Sequence, residues 1–270
     1  MNVQKHALWI SLLSMVCAGA YGATGLPFRS SFEQGNFSEW NGGADSTMTV
    51  TSETATDGTR SVRSVNTAGQ TTDNYKDYVF GDHPRIGGVG VTEQNGIWLT
   101  FDSRFDTGFQ FGSNVHKIAI LNLENESGRR RYQIIINLWS ANREYFIEHL
   151  KWNADGSFNR ALPGMAQNVG TPVPARLGQW DRLKLFVKPN TRGQSNGIVR
   201  LWVNGVLKTE YTNCALREDT NYMPNKLIMS NYVSVTNTSG IQRWDNWYLG
   251  ESDPEVNTVR PNPPVLQSVN

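Results

Sequence analysis

The stretch from Trp180 to Tyr211, WDRLKLFVKPNTRGQSNGIVRLWVNGVLKTEY, constrains the fold more than any other part of the chain. Apolar and polar residues alternate through DRLKLFVK and again through GIVRLWV, the period of a strand with one face on a core. A Gly/Asn/Pro-rich loop joins these two runs. Asn204-Gly205 then marks a tight hairpin turn, because both central positions of such a turn need positive φ. The segment predicts an antiparallel sheet.

The same rhythm continues along the chain. Short runs rich in Val, Ile, Tyr, Phe and Trp recur between Gly/Asn/Asp/Ser clusters, and no long stretch keeps a helical period. Strands are expected at 29–32, 48–51, 61–66, 75–80, 97–105, 116–123, 131–139, 144–152, 182–188, 198–203, 207–212, 226–233 and 242–249. So many strands do not stay in one flat sheet. The expected fold class is all-β, a two-sheet antiparallel jelly-roll sandwich with a concave ligand face. With 270 residues and 38% hydrophobic content, one core and one domain suffice.

Residues 1–22 read as an export signal: Lys5, an apolar run from Ala7 to Val16, then small residues at Ala18, Ala20 and Gly22. The run is too short for the ~30 Å hydrocarbon core, and no second hydrophobic segment follows, so no membrane span is expected in the mature chain. A secreted or periplasmic location follows from this reading, with 23–250 as the jelly-roll domain and 251–270 as an extended tail. Pro254, Pro261, Pro263 and Pro264 in that tail cannot donate to a ladder. Signal removal takes away Cys17 and Lys5, which leaves Cys214 without an intramolecular partner and moves the formal charge from +1 to 0. A neutral chain lacks the basic surface that nucleic acid binding draws on. A monomer is expected.

Alternation also sorts the faces. In RYQIIINLW, Tyr132, Ile134, Ile136 and Leu138 form the core side, opposite Arg131, Gln133, Ile135, Asn137 and Trp139. In IVRLWV, Val199, Leu201 and Val203 form the core side, opposite Arg200 and Trp202. Gln133, Asn137, Trp139, Arg200 and Trp202 are thus expected to look into one hollow. There Trp139 and Trp202 would stack on pyranose C–H faces. For Lys117, alternation groups it with Ala119 and Leu121 and leaves its direction open.

Taken together, FRSSFEQGNFSEW (28–40), GIVRLWVNGVLKTEY (197–211) and IQRWDNWYLG (241–250) resemble the concanavalin A-like lectin/glucanase superfamily, and within it the polysaccharide lyase-like jelly rolls. The resemblance implies a glycan-directed sandwich acting on an extracellular, acidic polysaccharide. Uronate lyases of this shape abstract the proton alpha to a carboxylate with a Tyr or His, while Arg, Gln, Asn or Lys neutralise the charge; no cofactor is required. Carried over on this basis are Lys117 in HKIAIL, Gln133 and Asn137 in YQIIIN, and Tyr232 in KLIMSNYVS, with His83 and His149 as further proton-handling candidates. Arg85 and Asn231 join Trp139, Arg200 and Trp202 as candidate substrate-binding residues. The Gln-Ile-His triplet of one alginate lyase family is absent, which keeps a noncatalytic, lectin-like module open as the alternative.

Two further features carry expectations. In many related sandwiches the first and last strands lie side by side and contribute an acid each to a structural Ca²⁺, which makes Glu33 and Asp245 the candidate ligands. Glucanases of this shape carry a run of alternating carboxylates on a central strand. The only similar run here, Glu251-Ser252-Asp253-Pro254-Glu255, contains a proline and lies in the tail, so it reads as fortuitous.

Overall fold

The computed structural model describes residues 22–43, 47–112, 115–125, 130–159, 172–217, 223–233 and 237–256, with the side chains of 130 and 131 excepted. The expected export signal, apart from Gly22, the last residues of the tail and the side chain of Arg131 lie outside the described residues. Among the described residues fourteen strands run in order: β1 (Phe28–Ser30), β2 (Met48–Thr51), β3 (Ser61–Asn66), β4 (Thr72–Val79), β5 (Ile97–Phe105), β6 (Val115–Glu124), β7 (Arg130–Trp139), β8 (Glu144–Trp152), β9 (Phe158–Asn159), β10 (Trp180–Lys188), β11 (Gly197–Val203), β12 (Val206–Cys214), β13 (Lys226–Val233) and β14 (Gly240–Gly250). Each expected strand is present. The two-residue β9 is the addition, too short to show a period.

The strands form two antiparallel sheets. The larger has the order β12-β11-β10-β5-β14-β3-β2, with β1 also paired to β14; the smaller has the order β4-β13-β6-β7-β8-β9. First and last strands do lie side by side, Phe28 opposite Leu249 and Ser30 opposite Trp247. Asn204 and Gly205 close the β11–β12 hairpin at φ 52° and 81°, the double positive φ their types permit.

The core fills the space between the sheets. Phe101, Leu183, Leu185, Val199 and Leu201 from the larger sheet meet Ile118, Leu121, Ile134, Ile136, Tyr145 and Leu227 from the smaller. Each such burial contributes about 1.5–3 kcal/mol, which supports a sandwich with its one described cysteine, Cys214, free. A bulge in β14 puts Asn246 at φ 53° and lets Trp244 and Trp247, three residues apart, both turn inward. Trp247 stacks on Phe101 with ring centroids 4.2 Å apart.

A second apolar cluster, Ile120, Ile135, Leu150 and Ile228, lies on the opposite face of the smaller sheet. This is the floor of the concave surface. Of the expected tail, residues 251–256 lie within the described residues. Glu251 accepts the backbone N–H of Ala23 at 2.8 Å, and Asp253 and Glu255 pair with Lys184 at 3.2 and 3.0 Å on the outer face of the larger sheet. Proline forbids ladder pairing, but side-chain ion pairs need no ladder.

Candidate active site

A local irregularity in β6 organises the concave face. The β6–β7 register shifts between Lys117 and Ala119, so one extra residue sits on β6. Before the bulge His116 and Ile118 point into the core and Lys117 points out. Beyond it Leu121 points in, and Ile120, Asn122 and Glu124 point out. The bulge places Lys117 and Ile120 on one face, a grouping that strict alternation forbids.

Tyr232 on β13 and Asn137 on β7 are the register partners of Lys117 on its two sides. Neighbouring strands lie about 4.8 Å apart, so the three side chains stand abreast across the sheet. The Lys117 ammonium lies 4.4 Å from the centroid of the Tyr232 ring. Asn137 is fully buried beneath this face: its Nδ2 donates to Glu148 Oε2 at 3.1 Å, and its Oδ1 has no hydrogen-bond partner among the described residues. Trp139, two residues along the same face, is 48% exposed with its ring edge-on to Phe146. A hollow of about 480 Å³ runs along this face, lined among others by Asp73, Tyr75, Lys117, Trp152, Lys226 and Tyr232.

Other expected site residues are placed differently. Gln133 lies on this face, but four residues from Asn137 along β7, about 13 Å, so the two cannot hold one carboxylate. Its amide is committed at both ends: Oε1 accepts the Trp152 indole N–H at 2.7 Å and Nε2 donates to Asn122 at 2.9 Å. His83 is buried at that same end. The Arg85 backbone N–H donates to its Nδ1 at 3.1 Å, which leaves Nε2 as the donor to Glu124 at 3.0 Å. With its lone pair taken, this imidazole is no base for a sugar at Tyr232. Arg85 itself stands half exposed at the rim, its guanidinium 3.8 Å from Asp77.

Four expectations need correction. His149 faces the core, 2% exposed with its ring stacked on Tyr132, and burial lowers its pKa to about 4. Leu150 and Trp152, apolar as they are, lie on the opposite face of β8, where Leu150 joins the second apolar cluster and Trp152 lines the hollow. Asn231 is buried between the sheets, donating to Ser64 Oγ at 2.6 Å and accepting from Asn66 at 3.2 Å. Arg200 and Trp202 have the predicted sidedness within β11, yet β11 pairs with β10 and β12 in the larger sheet. They look away from the hollow, Arg200 paired to Glu210 at 2.6 Å and Trp202 stacked on Trp98.

Glu33 and Asp245 both anchor the loop before β3. Glu33 accepts the N–H groups of Thr59 and Arg60, which hold its carboxyl below the usual range, and Asp245 accepts those of Thr56 and Asp57. Oxygens turned toward N–H donors face the wrong dipole end for a cation. No group of three or more His, Cys, Asp or Glu able to hold a metal occurs among the described residues.

Sequence reasoning missed Asn122, Glu124, Lys226 and Trp152. Lys226 was within reach: its even separation from Tyr232 puts it on the same face of β13. Asn122 and Glu124 are hidden by the β6 bulge, and Trp152 by its apolar neighbours.

The protein-family comparison matches residues 32–233 to the family described as polysaccharide lyase. The chain belongs to the polysaccharide lyase family. No curated protein matches this lyase in sequence. Among solved structures it is similar to the endo-β-1,4-glucuronan lyase from the fungus Trichoderma reesei, at 15% identity over 83% of this chain and 95% of that one, TM-score 0.59. It is also similar to the alginate lyase vAL-1 from Chlorella virus (15%, 81% and 95%, TM-score 0.56) and to an alginate lyase from Aplysia kurodai (12%, 75% and 86%, TM-score 0.52). At these identities the likeness concerns the fold, and the jelly-roll sandwich is common to the lyase and these neighbours.

A polysaccharide lyase must remove a weakly acidic C–H proton, hold the charge that develops, and protonate the leaving oxygen. On the concave sheet the Tyr232–Lys117–Asn137 row brings a phenol, a cation and an amide together over one sugar-sized area.

Proposed function

We propose that this lyase is an exported enzyme that cleaves an acidic, uronate-containing polysaccharide by β-elimination at the Tyr232–Lys117–Asn137 row. Tyr232, as phenolate, takes the proton alpha to the carboxylate. The carbon–carbon double bond forms as the glycosidic C–O bond breaks, and the same phenol returns the proton to the leaving sugar oxygen. Lys117 faces the carboxylate, where its positive charge meets the developing dianion, with the buried Asn137 amide directly beside it in the sheet. Trp139 offers a flat, exposed face for a neighbouring ring. Export is supported by the pattern of residues 1–22.

The observation that carries this reading is the register pairing of Lys117 with both Tyr232 and Asn137. Incubation with alginate, glucuronan and glycosaminoglycans, with detection of unsaturated product by ultraviolet absorbance, tests it. One polymer is expected to give product with wild type and not with Y232F. Silence across the panel with polymer binding retained would replace the enzyme by a lectin-like module.

A further inference from the structure

About 13 Å along β7 from the Asn137 position, a second polar assembly crosses the same face. The Trp152 indole donates to Gln133 Oε1 at 2.7 Å, Gln133 Nε2 donates to Asn122 Oδ1 at 2.9 Å, and Asn122 Nδ2 donates to Glu124 Oε1 at 3.0 Å. Glu124 also takes the His83 Nε2 contact at 3.0 Å and the Lys226 ammonium at 3.3 Å. An indole N–H can only donate, so the direction of every link is imposed from the Trp152 end and terminates at the carboxylate. Chains of this kind in a buried setting reinforce one another and hold their end groups in one orientation.

The two end groups face the hollow. Trp152 lines it and rests on Phe158, 5.0 Å between ring centroids, a residue that is itself 39% exposed. Lys226 lines it as well, held between Asp77 at 3.0 Å and Glu124 at 3.3 Å. An ammonium has three hydrogens, and two are directed at these acids. Its charge is already met twice over, so the third hydrogen suits a neutral hydroxyl oxygen and not another carboxylate. The span to Tyr232 exceeds one pyranose ring, and the apolar floor of Ile120 and Ile228 lies between.

We infer that Trp152 and Lys226 form a distal sugar subsite that takes a pyranose of the same polymer through its C–H face and hydroxyl groups, whether or not that residue is charged. Gln133, Asn122, Glu124 and His83 are positioning residues for it. The subsite rests on the reading of the concave face as the polymer groove, and it makes cleavage dependent on substrate length.

The test compares wild type, W152A, W152F and Q133L on a ladder of oligosaccharides from the cleaved polymer, with polymer affinity measured separately by titration. W152A is expected to lower kcat/KM by about tenfold on long chains, chiefly through KM, with a smaller loss on the shortest oligomer cleaved; tenfold corresponds to 1.4 kcal/mol. W152F keeps a ring and loses the link to Gln133, so its loss and that of Q133L fall between. Methyl esterification of the distal residue is expected to leave affinity unchanged. A W152A loss equal at all lengths, or unaltered polymer affinity in folded W152A, overturns the subsite while the lyase reading stands. A wild type that binds polymer without cleaving it overturns the lyase reading alone, with W152A affinity still deciding the subsite; no binding by the wild type to any polymer overturns both.

Discussion

Lys117 and Tyr232 are register partners on β6 and β13, with the Lys117 ammonium 4.4 Å from the Tyr232 ring centroid. Neither residue packs in the core, and both line the hollow. Y232F, which removes one oxygen, is therefore expected to lose 10²–10⁴-fold in kcat, the range for a lost acid–base group. K117M, which removes the cation, is expected to lose roughly 10²–10³-fold. Thermal melts should match wild type within a few degrees. A Y232F enzyme with wild-type turnover would remove Tyr232 from the chemistry.

The tail offers a control on the opposite sheet. Truncation after Ser252 removes the ion pairs of Asp253 and Glu255 with Lys184 and of Glu255 with Arg182. Partly exposed pairs of this kind contribute on the order of 1 kcal/mol together, so Tm should fall by about 2–4 °C. Polymer cleavage should not change, because Asp253 and Glu255 pack on the outer face of the larger sheet. Loss of activity in the folded, truncated protein would contradict that separation.

Lys208 is the most buried cation of the described chain, 1% exposed at its side chain, with its ammonium 3.2 Å from Glu144. This pair joins β12 of the larger sheet to β8 of the smaller. E144A leaves the charge buried and unpaired and should cost about 3–5 kcal/mol in urea unfolding. K208M replaces the charge with an apolar chain of similar length and should cost much less. Equal penalties for the two would mean that the pair is held by something other than its charge balance.

Two core histidines set an acid limit. Burial lowers His116 and His149 to about 4, against 6.5 for a free side chain. Between these values the unfolded chain binds protons that the folded chain refuses, so stability falls as pH drops from about 6.5 toward 4 and levels below. The loss is on the order of 3 kcal/mol per histidine across that window. Melting curves from pH 7 to pH 4 should show it, and H116N/H149N should flatten the slope. A wild-type slope that persists in the double variant would assign the acid sensitivity elsewhere.

Much of the sandwich was legible locally. Period-two alternation in β7 correctly put Tyr132, Ile134, Ile136 and Leu138 on the core, and Asn204-Gly205 announced the β11–β12 turn. Tyr232, Lys117 and Asn137 were all nominated, although Lys117's direction stayed open. The β6 bulge decided it, and the bulge exists only against the register of β7. For β8 the pattern misled, since the strand is apolar on both faces and nothing local says which one meets the other sheet.

What the sequence determined by itself is sidedness in regular, one-faced strands such as β7 and β11, and the all-β class, because both follow from the geometry of an extended backbone. Only the tertiary structure decided which strands share a sheet. Arg200 and Trp202 show the difference: their outward orientation on β11 was correct, but pairing with β10 and β12 carried them to the far side of the molecule. That pairing depends on contacts between residues distant in sequence, which no period along a single strand encodes.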